Sequence, residues 1–209
     1  MTDSHIVHLL FFKGNERCLA DPTLFTALRD MAKESAGEGL TGQYWGQAVE
    51  KPHRFYWYLL WGSQSAHDAF QSSPQRTALH SQLLALAEET PDERVMAYSL
   101  SPLGAFQAPI TDTTAFNIVE GITREEAVTR MTPVIQHVGR ILPTFLWAFA
   151  KDVEGKGLRG VHFAGWDSIE SHMNVGEGPG EEDLREVTEE VMPMFTNITI
   201  AHMHLQSHQ

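Results

Sequence analysis

Trp61 and Trp166 stand 105 positions apart, and His67 and His172 keep the same spacing. Each Trp closes an aromatic or apolar run, and each His falls in the helix-like stretch that follows. Two uncommon side chains held in one register point to a duplicated unit of roughly 100 residues, and a chain of 209 has room for two. The expected organisation is a first unit over residues 1–101, a linker over 102–112 and a second unit over 113–209.

The same element order can be read in both halves. Residues 5–12 form a β-branched and aromatic strand that ends at Lys13-Gly14-Asn15. Asp21-Pro22 caps a helix whose Leu24, Phe25, Leu28 and Met31 share one stripe. Strands over 40–49 and 55–61, helices over 63–71 and from Pro74 to about residue 88, and a strand over 95–100 complete a β-α-β-β-α-β series, the split βαβ of ferredoxin-like domains. The order returns as a strand over 114–120, a helix capped by Thr123 with Glu126 in a capping box, strands over 144–151 and 158–165, a helix interrupted by glycines at 176–180, and a strand over 197–205. The predicted class is α+β.

Lys and Arg total 15 against 27 Asp and Glu, a net charge of −12 that repels phosphate backbones and anionic lipid. Nucleic acid and membrane are therefore not the expected partners. Cys18 is the only cysteine, which excludes an intramolecular disulfide and a Cys-rich metal site and fits a cytoplasmic protein. The apolar run at 6–12 is too short to span a bilayer and lacks the flanks of a signal peptide.

Tyr44-Trp45-Gly46-Gln47-Ala48-Val49, the Phe12-Lys13 exit of strand 1, Trp61 and Ser73-Pro74 together resemble the dimeric α/β barrel superfamily. The likeness is to its stress-responsive barrels, which include plant polyketide cyclases, and to the nearby cofactor-independent antibiotic-biosynthesis monooxygenases. The resemblance implies two tandem ferredoxin-like units forming a dimeric-α/β-barrel-type architecture in one chain, with a pocket between sheet and helices and no cofactor. Family members form dimers; a tandem chain can close the barrel with itself, and a further homodimer stays open. Polyketide cyclases of the family carry one histidine on the first strand and another two residues after the helix-breaking proline. Here those positions hold Ile6 and Arg76, with His8 two residues along on the same strand face.

On that reading, Leu10, Phe12, Phe55, Trp57, Leu59, Trp61 and Phe70 surround His8 and would bind a flat, apolar ligand by burial and stacking. His8 reads equally well as a core histidine. The repeat register assigns Asn117 to the role of His8 and His162 to that of Trp57, with Trp166 and His172 nearby. An imidazole can shuttle a proton and Asn can hold an enolate oxygen, so His8, His162, Asn117 and Arg76 are the catalytic candidates. His172 also reads as an ordinary exposed helical residue. His202 and His204 alternate with Ala201 and Met203 and are expected on one face of the last strand, where such a pair can bind zinc or copper, but no third ligand accompanies them, and no metal site is expected. The acidic, glycine-rich segment 176–183 repels phosphate and reads as a surface loop or a lid.

The expected function is a cofactor-independent enzyme acting on a hydrophobic, polyketide-like metabolite by histidine-mediated proton transfer. Cyclisation, isomerisation or dehydration leads, and cofactor-free monooxygenation follows closely. The alternative is a non-catalytic small-molecule carrier or stress-related barrel protein.

Overall fold

The computed structural model describes residues 5–150, 155–175 and 182–208. Contacts divide the chain into a first unit, residues 1–99 with 205–209, and a second unit, residues 100–204. Among the described residues no helix is long and apolar enough to cross a membrane.

The first unit runs β1 (His5–Lys13), α1 (Glu16–Ala20), α2 (Pro22–Ala36), β2 (Leu40–Gln47), β3 (Arg54–Trp61), α3 (Gln64–Gln71), α4 (Pro74–Leu86) and β4 (Asp92–Tyr98). The second runs α5 (Leu103–Phe106), β5 (Ile110–Ile118), α6 (Arg124–Ile141), β6 (Leu146–Phe149), β7 (Arg159–Trp166), α7 (Ile169–Met173), α8 (Glu182–Val191) and β8 (Phe195–Met203). A last strand, β9 (Gln206–His208), returns to the first unit, where it pairs with the edge of β2. The sheet orders are β4-β1-β3-β2-β9 and β6-β7-β5-β8. Apart from β9 these are the same antiparallel order, so both units are ferredoxin-like.

Local sequence sets the helix starts. Asp21 accepts from the Thr23 amide ahead of Pro22, Ser63 from Ala66, Ser73 from Arg76 ahead of Pro74, and Thr123 from Glu126. The side chain of Glu126 pairs with Arg130, so the reciprocal half of the expected capping box is spent on an ion pair along α6. Residues 102–112, expected to be an unstructured linker, contain α5 and the first three residues of β5. Thr111 Oγ1 donates to the Ala105 carbonyl at 2.8 Å, which ties α5 to the second sheet.

Register corrects the alignment of the two halves. Ile6 pairs with Trp61 and Ile110 with Trp166; His8 pairs with Leu59 and Asp112 with Ala164. Asp112, not Asn117, therefore occupies the place of His8. Asn117 lies an odd number of residues along β5 and projects to the opposite face of the sheet.

The helix-facing side of the first sheet is filled. Leu10, Phe12, Phe55, Trp57, Leu59 and Trp61 are all buried against α2 and α4 through Phe25, Leu28, Leu79 and Leu83. Each such side chain contributes roughly 1.5–3 kcal/mol on burial. In the second unit the equivalent packing is split between two smaller clusters, one around Phe116, Ala127 and Phe149 and one around Met131, Val134, Val191 and Met194. Gly160 is required beneath the first of these, because a Cβ there would stand 2.3 Å from the Phe116 ring.

Candidate functional site

In the first unit the polar residues at the mid-sheet corner are consumed by one another. His8, 2 % exposed, donates from Nε2 to Glu93 Oε2 at 3.1 Å, because an ionised carboxylate can only accept. Its Nδ1 is 3.0 Å from Gln71 Nε2, which also reaches His67 Nε2 at 3.3 Å. Arg76 donates from Nε to Gln71 Oε1 at 3.1 Å and from Nη2 to Glu93 Oε2 at 2.5 Å. His80 Nδ1 sits 3.0 Å from Glu93 Oε1 in an ion contact that lacks the direction of a hydrogen bond. Burial works to raise the Glu93 carboxyl, but the His8 hydrogen bond and the charges of His8 and Arg76 outweigh it and bring the pKa down to about 2. Between His8, Leu10, Trp57, Leu59, Phe70, Arg76 and Leu83 there is no room for a water molecule. Leu10, Phe12, Phe55, Trp57, Leu59, Trp61 and Phe70, expected to line a ligand site, are core residues, and Arg76 is a tie within the network.

The second unit keeps a cavity of about 620 Å³ on the same side of its sheet. Its walls are Phe116, Met131, Val134, Phe145, Ala164 and Trp166, and the exposed Ile141, Met173, Met192, Ile198 and Ile200 edge it. Asp112, Thr114, His162 and His172 supply the polar lining.

The side chains of that polar group come from three elements, and His202 on β8 meets them from a fourth. Asp112 on β5 is 1 % exposed and accepts from Thr114 Oγ1 at 3.2 Å and from His162 Nε2 on β7 at 3.1 Å. The ionised carboxylate fixes the proton on Nε2 of His162 and leaves Nδ1 of that ring as a lone pair. His172 on α7 stacks on Trp166, with centroids 4.7 Å apart and an interplanar angle of 16°. Its Nε2 lies 3.9 Å from Asp112 Oδ2, and its Nδ1 lies 2.5 Å from Nε2 of His202 on β8. Asp112, His172 and His202 thus present three ligand atoms within 4.8 Å of one another.

Of the residues singled out in the sequence, His162, Trp166 and His172 meet at this cavity, while His8 and Arg76 meet in the closed unit and Asn117 is outside both. Asp112 was missed because it lay at the edge of the expected linker; carrying the Trp61/Trp166 register back across the paired strands would have found it. His202 and His204 do not share a face: β8 ends at Met203, leaving His204 exposed with Nδ1 2.9 Å from the Pro109 carbonyl. Cys18 is buried, which raises its thiol and makes it a poor nucleophile. The segment 176–183, expected to be a surface loop or a lid, lies mostly outside the described residues.

No protein-family model matches the chain, and no curated protein is significantly similar to it. Solved structures are similar over its whole length. A provisionally named monooxygenase from Fusobacterium nucleatum has a TM-score of 0.66 at 9% identity, covering 100% of this chain and 96% of that one. An anthrone oxidase-like protein has a TM-score of 0.64 at 15% identity, covering 98% and 94%. The chain shares with these structures a fold of two tandem ferredoxin-like units. A provisionally named monooxygenase from Lactobacillus acidophilus shares the fold at a TM-score of 0.61 and 9% identity, covering 98% of this chain and 96% of that one. At these identities the likeness concerns architecture, and the reaction has to be argued from the cavity.

Proposed function

We propose that the second unit is the working half, an enzyme site that takes a hydrophobic, oxygen-bearing metabolite into its cavity and moves a proton at His162. The observation that carries this reading is the asymmetry of the duplicated units: one interior is packed shut, and the other retains about 620 Å³ with a small polar group in an apolar wall.

Apolar walls remove the ligand from water, and the polar group orients its oxygen. Asp112 holds His162 through Nε2, so the Nδ1 lone pair is available as a base, and no described residue bonds it. Removal of a proton from a carbon next to a carbonyl gives an enolate and an imidazolium. Return of that proton at another carbon is an isomerisation, attack of the enolate within the molecule is a cyclisation, and expulsion of a hydroxyl as water is a dehydration. Cofactor-free oxygenation is the second reading, favoured by the oxidase and monooxygenase names among the similar folds. There the carbanion takes up dioxygen, and the resulting hydroperoxide loses water to leave a ketone.

Anthrone is a suitable first probe, since it is flat, apolar and acidic beside its carbonyl. Binding is read by quenching of tryptophan fluorescence, and turnover by product analysis and oxygen uptake in parallel with a panel of polyketide-like ketones. We expect His162→Ala to lower turnover by about a hundredfold or more and His8→Ala to leave it within a few-fold. Turnover unchanged in His162→Ala, or lost in a folded His8→Ala protein, would overturn the assignment. Tight binding with no turnover of any panel member would favour a carrier.

A further inference from the structure

We infer that Asp112, His172 and His202 bind a divalent transition metal ion of the zinc or ferrous iron class at the edge of the second-unit cavity. Its catalytic consequence rests on the function proposed above; the metal site itself rests on the ligand geometry.

Three features carry it. First, the donor set is two imidazole nitrogens and one carboxylate oxygen from three separate elements, α7, β8 and β5, with the ligand atoms within 4.8 Å of one another. Two histidines and a carboxylate are a recurrent set for catalytic zinc and for non-haem iron, and both arrangements leave coordination positions open. Second, His172 Nδ1 and His202 Nε2 are 2.5 Å apart, closer than an ordinary hydrogen bond between nitrogens. Two ring nitrogens that converge so closely share their lone pairs best with one cation. Tetrahedral bonds of about 2.05 Å would set them about 3.3 Å apart, an adjustment within the reach of side-chain rotation. Third, the Asp112 carboxylate is 1 % exposed. A buried anion needs a compensating positive charge, and a divalent ion supplies it directly.

The surroundings resemble those of built metal sites. His162 Nε2–H donates to Asp112 Oδ2, an outer contact that orients the ligating carboxylate. The Trp166 indole stacks on His172 and limits its ring to one plane. His172 and Asp112 also line the cavity, so an ion between them meets whatever fills it. An open position there would take a carbonyl or enolate oxygen of the metabolite and withdraw electron density from it, while His162 handles the proton. The equivalent places in the first unit hold His8, His67 and Val95, and the paired strand offers no imidazole where His202 stands. The predicted ligand set therefore belongs to one unit only, the one with the cavity.

The test uses full-length protein without a histidine tag, stripped with EDTA and dialysed. Zn²⁺ and Co²⁺ are added separately, and binding is followed by calorimetry, by mass-spectrometric metal analysis after gel filtration, and by the visible spectrum of the cobalt form. We expect one ion per chain and a cobalt spectrum typical of nitrogen and oxygen ligands. Asp112→Asn, His172→Gln and His202→Gln should each weaken binding by about a hundredfold or more, and His162→Gln by about ten- to a hundredfold. His204→Gln, outside the cluster, should bind as wild type. Circular dichroism identifies any variant that fails to fold, and zinc-edge X-ray absorption of the wild-type protein tests the two-imidazole ligand set without any variant. The inference falls if stripped wild-type protein takes up neither ion at micromolar concentration, if folded ligand variants bind as wild type does, or if the absorption data show no imidazole. Anthrone quenching of the stripped protein is measured alongside. Quenching without metal uptake removes the metal site and leaves the cavity reading; metal uptake without quenching supports the metal site and removes the cavity reading.

Discussion

Replacing Glu93 by Gln should destabilise the first unit in a way that disappears in acid. The carboxyl is three-quarters buried, accepts from His8 and Arg76, and has its pKa lowered from an ordinary 4.5 to about 2. A native pKa below the unfolded one contributes stability that is fully present above pH 4.5 and is lost as pH falls through 2. The contribution works out at roughly 3 kcal/mol at pH 7, falls to about half of that at pH 3 and is mostly gone at pH 2. Glu93→Gln retains the shape and an acceptor but not the charge beside Arg76. Urea unfolding of both proteins, followed by tryptophan fluorescence at pH 7 and at pH 3, should give a gap of about 2–4 kcal/mol that narrows by at least half in acid. Other carboxylates titrate in both proteins and cancel in the comparison. A gap of the same size at the two pH values would refute the reasoning, because the stabilisation would then come from packing and not from the charge.

Three further outcomes follow from the contrast between the units. Leu83→Ala, in the filled interior of the first unit, should cost about 3–5 kcal/mol by opening a cavity, while Met131→Ala, on a wall already facing space, should cost roughly 2 kcal/mol; equal losses in urea titrations would contradict the asymmetry. Ala164→Phe should occupy part of the second-unit cavity and weaken anthrone quenching more than tenfold with the circular dichroism spectrum intact, and unchanged quenching would place the ligand elsewhere. Deleting residues 205–209 removes β9 and the His208–Asp30 contact of 2.9 Å, and should lower first-unit stability by about 1–2 kcal/mol and promote association through the bared β2 edge; light scattering and urea titration check both.

The fold was largely legible because its signals are local. Continuous runs of β-branched, leucine and aromatic residues marked β1 and β3, and the Asp21-Pro22 and Thr123 caps marked the starts of α2 and α6. Uncommon residues in one register marked the duplication. The site was legible only in part. Ile110-Thr111-Asp112 reads as the end of a loop after two prolines and a glycine, yet pairing with β7 and β8 makes it strand, and the register of that pairing decides that Asp112 faces the cavity. His202 could be seen, but its partners are 90 and 30 residues away in sequence and meet it only after the sheet forms. That Trp57, Leu59 and Leu83 fill one interior while the other stays open is a matter of side-chain volumes meeting in space, which composition does not encode.

The short strand β9 makes the first unit discontinuous in the chain. Its sheet reaches five strands only after the whole second unit has been synthesised, so on the ribosome β2 waits with an uncovered edge while some hundred residues of another unit are made. A gene fragment cut at the apparent boundary near residue 100 would yield a first unit stuck in that waiting state, and an autonomous one should instead carry residues 205–209 joined back through a short linker.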